Sequence, residues 1–261
     1  MAAAGPRPFV VTGCARSGTA YMAAVFSRLG LSCGHELVFG PRTRRFDGFG
    51  GQHGDSSWLA APFLAQLPDD TLILHRVRHP LKVVRSLLGV RFFADRGRAF
   101  LAGDDIYTRA KWQVRQQLTR LGHIEQSDKG PRPHLAYRRY LREHAPQVWE
   151  ESTTGERALR YWCDWNQMIL SHAGRDGYRR HYTETLDDEA IAEMLAEIGV
   201  AVTAAHVSLV TGVVPRDLNS RRVTPVGWDV LPDSPARRDA EALAVRLGYD
   251  PRAPARRPAT V

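Results

Sequence analysis

The chain has 261 residues, with 36 Lys+Arg against 28 Asp+Glu and a formal charge of +8. Hydrophobic residues at 43% and charged residues at 25% exclude a disordered or fibrous chain. No apolar run approaches the roughly 18 residues that a membrane span requires. The start, Met-Ala-Ala-Ala-Gly-Pro-Arg-Pro, has no charged region followed by an apolar one, so no secretory signal is expected. Three cysteines (Cys14, Cys33, Cys163) make an odd set without metal-type spacing, which argues against a disulfide framework or zinc site and fits a reducing cytoplasm. Only Lys82, Lys111 and Lys129 are lysines, so 33 of the 36 cations are arginine. That excess fits either a compositional preference or a ligand carrying several phosphates or sulfates, which suit the guanidinium fork.

In chain order, Pro8–Gly13 (PFVVTG) reads as a buried parallel strand, Cys14–Gly18 as a small-residue loop, and the segment after it as a helix. Met22, Val25, Phe26 and Leu29 lie at helical spacing, and Gly30 is a natural stop. Leu37-Val38-Phe39 reads as a short second strand, and 40–55 as a long loop rich in glycine and arginine. Asp55 is the expected N-cap of a helix through Trp58, Leu59, Phe63 and Leu64. A strand over 71–77 runs into Arg78-His79-Pro80 and a helix with Val83, Val84, Leu87 and Leu88 inward. Residues 90–155 show only short helical patterns. Helices are expected around 156–173, 187–198 and from Ser234-Pro235 to Gly248, with a strand over 178–183 and a disordered tail from Pro251. No repeat or linker is visible, so one α/β domain over 1–250 is expected.

Strand, tight loop and helix open a phosphate-binding domain. Gly13 to Ala20 has the glycine spacing of a Walker A loop, but Thr19 stands at the lysine position and Ala20 at the magnesium-binding hydroxyl. The amide cradle and helix N-terminus remain for phosphate oxygens, and Arg16 supplies the cation.

This loop resembles the 5′-phosphosulfate loop of sulfotransferases, in which a basic residue precedes Ser-Gly-Thr and a helix. A second segment agrees. Arg78, Pro80 and Ser86 fall at the spacing of that family's 3′-phosphate motif, an arginine at a strand end and a serine two turns along the next helix. Fainter likenesses follow. Thr183-Glu184-Thr185-Leu186 is similar to a Tyr-Glu-Asp-Leu stretch beside the adenine, and Asn219-Ser-Arg221-Arg222, with Gly227-Trp228, to the loop that closes over the 3′-phosphate.

The resemblance implies a three-layer α/β/α fold with a central parallel sheet, of P-loop NTPase-like sulfotransferase type. It implies 3′-phosphoadenylyl sulfate as donor, adenosine 3′,5′-bisphosphate as product nucleotide, and no metal. Arg16, Ser17, Gly18, Thr19, Ala20, Arg78, Ser86, Arg221 and Arg222 would hold the nucleotide. A glutamate about twenty positions beyond the loop's basic residue acts as base in several members. Glu36 stands there, with His35 the alternative because cytosolic members use histidine, and His53 more remote. The acceptor would be a hydroxyl of a small molecule or glycan, bound by the 40–58 loop and the 90–155 region, with neither nucleic acid nor membrane as partner; the oligomeric state is left open.

Blander roles suit other residues. Trp162 and Trp165 share a helix with Leu159, Cys163 and Ile169 and read as core or groove wall. Cys14 reads as a small loop filler rather than a nucleophile. Arg42, Arg44 and Arg45 fit either a solvated loop or a grip on an anionic acceptor. Two competing functions are a P-loop kinase, which the Thr19 and Ala20 positions oppose, and a non-catalytic RNA- or polyanion-binding protein, for which no RRM, KH or zinc-finger signature appears.

Overall fold

A computed structural model of the chain describes residues 5–93, 133–215 and 226–250. Five strands form one sheet: β1 (Phe9–Gly13), β2 (Cys33–Gly34), β3 (Gly54–Ser56), β4 (Leu72–Val77) and β5 (Tyr178–Tyr182). Their order is β2-β3-β1-β4-β5, and every pairing is parallel. The continuous apolar run of β1 and the fully buried β4 are what a sheet covered on both faces demands.

Alternation along the strands divides two cores. Phe9, Val11, Leu72 and Leu74 face α1 (Thr19–Arg28) and the helices that follow β5, where Met22, Phe26, Met194, Leu195 and Ile198 are buried. Val10, Ile73 and Val77 face the other side, with Leu59, Phe63, Val83, Val84, Leu87, Leu159, Trp162 and Trp165. That second layer comprises a 3₁₀ segment (Trp58–Gln66), α2 (Pro80–Gly89), α3 (Pro133–His144), α4 (Thr154–Leu170) and, near the C-terminus, Pro235–Arg246. The first layer adds α5 (Asp188–Ile198) and α6 (Ala204–Thr211), and Pro235–Arg246 is α7. The result is three layers, α/β/α. Each large apolar side chain so buried contributes roughly 1.5–3 kcal/mol.

Local chemistry sets the boundaries. Thr153 and Glu156 form a reciprocal capping box at the start of α4, and Asp187 caps α5 through Ala190 N. His79 caps α2, its ring accepting from Leu81 N, with Pro80 in the first turn. The helix α6 was not among the expected elements, because its apolar positions form no stripe. Of the stretch 90–155, with its short helical patterns, the described part contains α3; residues 94–132 and the tail from 251 lie outside the described residues.

Two expectations are corrected. Leu37-Val38-Phe39 is not a strand. The Asp55 carboxylate accepts from Leu37 N at 3.2 Å and Phe39 N at 3.0 Å, so a side chain takes the donors that a ladder would need. The strand instead comprises Cys33 and Gly34, just before. Nor is Asp55 an N-cap: it lies within β3, paired with Val10, and Ser57 caps the following segment through Leu59 N. Pro62, inside that segment, lacks an N–H, and the segment winds as 3₁₀ helix rather than α.

Candidate active site

The chain leaves β1 in one direction along the sheet and β4 in the other. This makes the C-terminal ends of these neighbouring strands the switch point at which parallel sheets bind ligands. Both sequence motifs begin there. The loop after β1 is tightly built: Ser17 N bonds Cys14 O at 3.0 Å, and Arg16 and Gly18 both adopt left-handed φ, +76° and +88°. A non-glycine residue held at positive φ costs about 1 kcal/mol or more and persists only where the surrounding structure enforces it. Gly18 then starts α1 with no side-chain cap, so the first-turn amides keep their donor capacity. Gly13 admits no side chain, because a Cβ there would meet the Arg76 carbonyl oxygen at 2.2 Å.

The two motifs meet on Arg16. Its Nε donates to Ser86 Oγ at 2.8 Å, and its carbonyl oxygen accepts from Arg78 Nη1 at 2.5 Å. Ser86 lies two turns into α2, so the arginine-to-serine spacing brings both ends of the second motif to the first. Ser17 Oγ and Arg78 Nε are sealed from solvent without hydrogen-bond partners. Buried donors of this kind fit phosphate oxygens. The fold thus brings Arg16, Ser17, Gly18, Thr19, Ala20, Arg78 and Ser86 to one place. Arg221 and Arg222 lie outside the described residues.

Side chains that no motif announced hold this loop. Tyr161, fully buried on α4, accepts from Ala15 N at 2.7 Å, and Trp162 Nε1 donates to Arg78 O at 3.0 Å. Trp165, the other candidate wall residue, is sealed in the core with its Nε1 donating to Trp58 O. Cys14 is completely buried, accepts from Asn166 Nδ2 at 3.2 Å, and its thiol pKa is raised by burial, so it is a filler and not a thiolate. Thr183 stands beside the loop, its Oγ1 donating at 3.1 Å toward both Ser17 O and Val77 O. Glu184 next to it accepts from His79 N and the Tyr249 hydroxyl and pairs with Lys82 at 3.4 Å, tying the two strand ends to the C-terminal segment.

Glu36 is the second focus. It has a left-handed backbone, φ +59°, and a buried side chain. Tyr137 of α3 donates to its Oε2 at 2.6 Å, and His35 Nε2 lies 3.7 Å from Oε1. Beneath it, burial pushes the Asp55 carboxyl up to about 6, against the opposing pull of the Phe39 and Leu37 amides. Tyr161 lies between the two foci: it holds Ala15 and also feels the charge of Glu36. His53 belongs to neither, its Nδ1 accepting from Ser32 N just before β2.

An open cleft of about 680 Å³ runs along the 37–52 segment, lined by Leu37, Val38, Arg42, Phe49 and Gln52 among others. Two of its arginines are already paired, Arg44 with Glu143 at 2.6 Å and Arg45 with Asp47 at 2.7 Å. Among the described residues no group of three or more His, Cys, Asp or Glu is placed to hold a metal ion, and no helix is long and apolar enough to cross a membrane. No family model, curated protein or solved structure matches the chain.

Proposed function

We propose that this chain is a sulfotransferase of P-loop-like architecture, moving a sulfuryl group from 3′-phosphoadenylyl sulfate to a hydroxyl of a small molecule or carbohydrate. The observation that supports this most is the meeting of the two motifs. Arg16 touches Ser86 through its side chain and Arg78 through its carbonyl, two residues before the uncapped start of α1. One cluster of guanidinium, hydroxyl and amide donors suits a nucleotide with phosphates at both ends.

In this reading the amides of residues 17–20 and Arg16 hold the 5′-side phosphate and stabilise the charge that develops there as its bond to sulfur breaks. Arg78 and Ser86 hold the 3′-phosphate, which fixes the reacting end by anchoring the remote one. Glu36 accepts the acceptor's hydroxyl proton as the new oxygen–sulfur bond forms. His35, within reach of the same carboxylate, is the competing base. The cleft lined by residues 37–52, which follow Glu36 in the chain, is assigned to the acceptor in this reading.

Calorimetry with adenosine 3′,5′-bisphosphate in metal-free buffer tests this reading. Binding in the micromolar class is expected, weakened severely by Arg78→Ala. Absence of binding by the intact chain overturns it. Binding of magnesium ATP in its place would favour a kinase, and salt-sensitive binding of RNA a polyanion-binding role.

A further inference from the structure

Arg76 plays no part in either motif, yet it is the most anomalous side chain of the sheet. It lies on β4 two residues before Arg78, and its whole residue is inaccessible to solvent. All three guanidinium nitrogens, Nε, Nη1 and Nη2, are buried without a hydrogen-bond partner. Burial pulls its pKa down to about 10, which leaves it charged at neutral pH. Proteins seldom seal a charge without a counter-ion, because the lost hydration is not recovered. The carboxylate whose charge acts on it most is Glu184, which already serves His79 N, Lys82 and the Tyr249 hydroxyl.

The register shows what stands beside it. Gly13 of β1, on one side, has no side chain. His181 of β5, on the other, points to the same face, and its Nε2 is also buried without a partner. Burial, and then the Arg76 charge, hold that imidazole down at about 4, so at neutral pH it is uncharged and serves as a hydrogen-bonding group rather than a second cation. Four orphaned groups therefore occur around the C-terminal ends of β1, β4 and β5: Ser17 Oγ, Arg78 Nε, the Arg76 guanidinium and His181 Nε2. An apolar core position would need none of them.

We propose that Arg76 and His181 form an inner oxyanion subsite, below the loop of Arg16, that takes a sulfate- or phosphate-type group. The subsite goes beyond the sulfotransferase reading and rests on it only for the source of the anion, either a phosphate of the bound nucleotide or the free inorganic ion. Arg76 supplies the charge and a planar fork of donors. His181 supplies a single N–H from the neighbouring strand. Filling the subsite would compensate a charge that the ligand-free fold leaves buried, so ligand binding and stability are coupled.

The test is thermal unfolding of the full chain, wild type against Arg76→Met, His181→Phe and Arg76→Lys. Each is measured with sodium sulfate, sodium phosphate, sodium chloride as control, and adenosine 3′,5′-bisphosphate. Without ligand, Arg76→Met is expected to unfold at or above the wild-type temperature. Its apparent affinity for sulfate or phosphate should fall on the order of tenfold or more, with partial recovery in Arg76→Lys. His181→Phe should weaken the anion response less than Arg76→Met. Equal responses of wild type and Arg76→Met overturn the subsite. So does an Arg76→Met protein that is less stable than wild type but responds unchanged. If Arg76→Met fails to fold, the Arg76 Nε–H resonance of the wild-type protein is followed during sulfate titration, and no shift overturns the proposal.

The arms separate the two readings. An Arg76-dependent response to sulfate with no binding of the nucleotide removes the sulfotransferase reading and keeps the subsite. Undiminished nucleotide binding by Arg76→Met, with unchanged sulfate response, removes the subsite alone.

Discussion

Tyr137 donates a 2.6 Å hydrogen bond to Glu36 Oε2 across 101 positions of sequence. The phenol belongs to α3 and its ring leans on Trp58, so the carboxylate is oriented by a helix rather than by its own loop. The strained backbone of Glu36 and the two amides tied by Asp55 fix the other end of the same residue.

If Glu36 is the base, Glu36→Gln leaves the affinity for adenosine 3′,5′-bisphosphate unchanged while sulfuryl transfer to an added phenol falls on the order of 10²–10⁴-fold. Tyr137→Phe, which removes only the donor, lowers turnover about tenfold with the same affinity. Unaltered turnover in Glu36→Gln moves the role to His35, and His35→Asn then carries the loss.

Ser86 reports on the junction of the two motifs. Its hydroxyl accepts from the Arg16 guanidinium, and hydrogen bonds to charged groups are worth roughly 1.5–3 kcal/mol. Ser86→Ala should therefore lower the unfolding temperature and, by also removing a donor to the 3′-phosphate of the proposed reading, weaken nucleotide binding by about ten- to a hundredfold in calorimetry. An unchanged Kd would remove Ser86 from the site.

Tyr161 has a different signature because it anchors the loop from below. Tyr161→Phe leaves Ala15 N buried without an acceptor, at a cost of about 1–3 kcal/mol, measurable by urea unfolding. Nucleotide affinity falls with it, since the loop loses its fixed shape. A variant as stable as wild type would show that the loop amide finds another acceptor.

His75 gives a prediction in pH. Its ring is fully buried between the Tyr178 hydroxyl at 2.7 Å and Asn166 Oδ1 at 3.0 Å, and burial pulls its pKa down to about 3. The folded state therefore holds the ring neutral where the unfolded chain, with a pKa near 6.5, protonates it. That contribution is fully present above about pH 6.5 and is lost as pH falls toward 3. Asp55 and Asp164, whose carboxyls burial raises to about 6, act in the opposite sense. They favour the fold at low pH and lose that contribution as pH rises from about 4 to about 6. Urea unfolding of His75→Leu between pH 4 and 6.5 should show a pH slope lower by up to about 1.4 kcal/mol per unit than wild type. An identical slope would mean that another group takes up the proton.

Much of this was legible in the residues themselves. The runs at 8–13 and 71–77, the loop between Gly13 and Gly18, and the Arg78-to-Ser86 spacing are local patterns. Local patterns are set by strand alternation, helical pitch and the left-handed tolerance of glycine. They were enough to expect buried parallel strands joined by a tight loop and helices, whereas the three layers and the grouping of Arg78 and Ser86 with Arg16 were expected only from the resemblance to sulfotransferases. The misreadings at Leu37–Phe39 and Asp55 share one cause. An apolar triplet and an aspartate before a helix each have an ordinary local meaning, and a contact 16 to 18 residues away replaced both.

The sequence by itself therefore determined most of the elements and the tight build of the loop after β1, because those depend on neighbours within a turn or two. Only the tertiary structure decided that Tyr137 faces Glu36, that Tyr161 supports Ala15, and that Thr183 closes against Ser17. No periodicity carries such pairings, since they arise where packing against one sheet brings distant segments together. The same holds for the arginines. Composition counts 33 of them alike, and only burial separates Arg76, sealed and without a partner, from the many that water already satisfies.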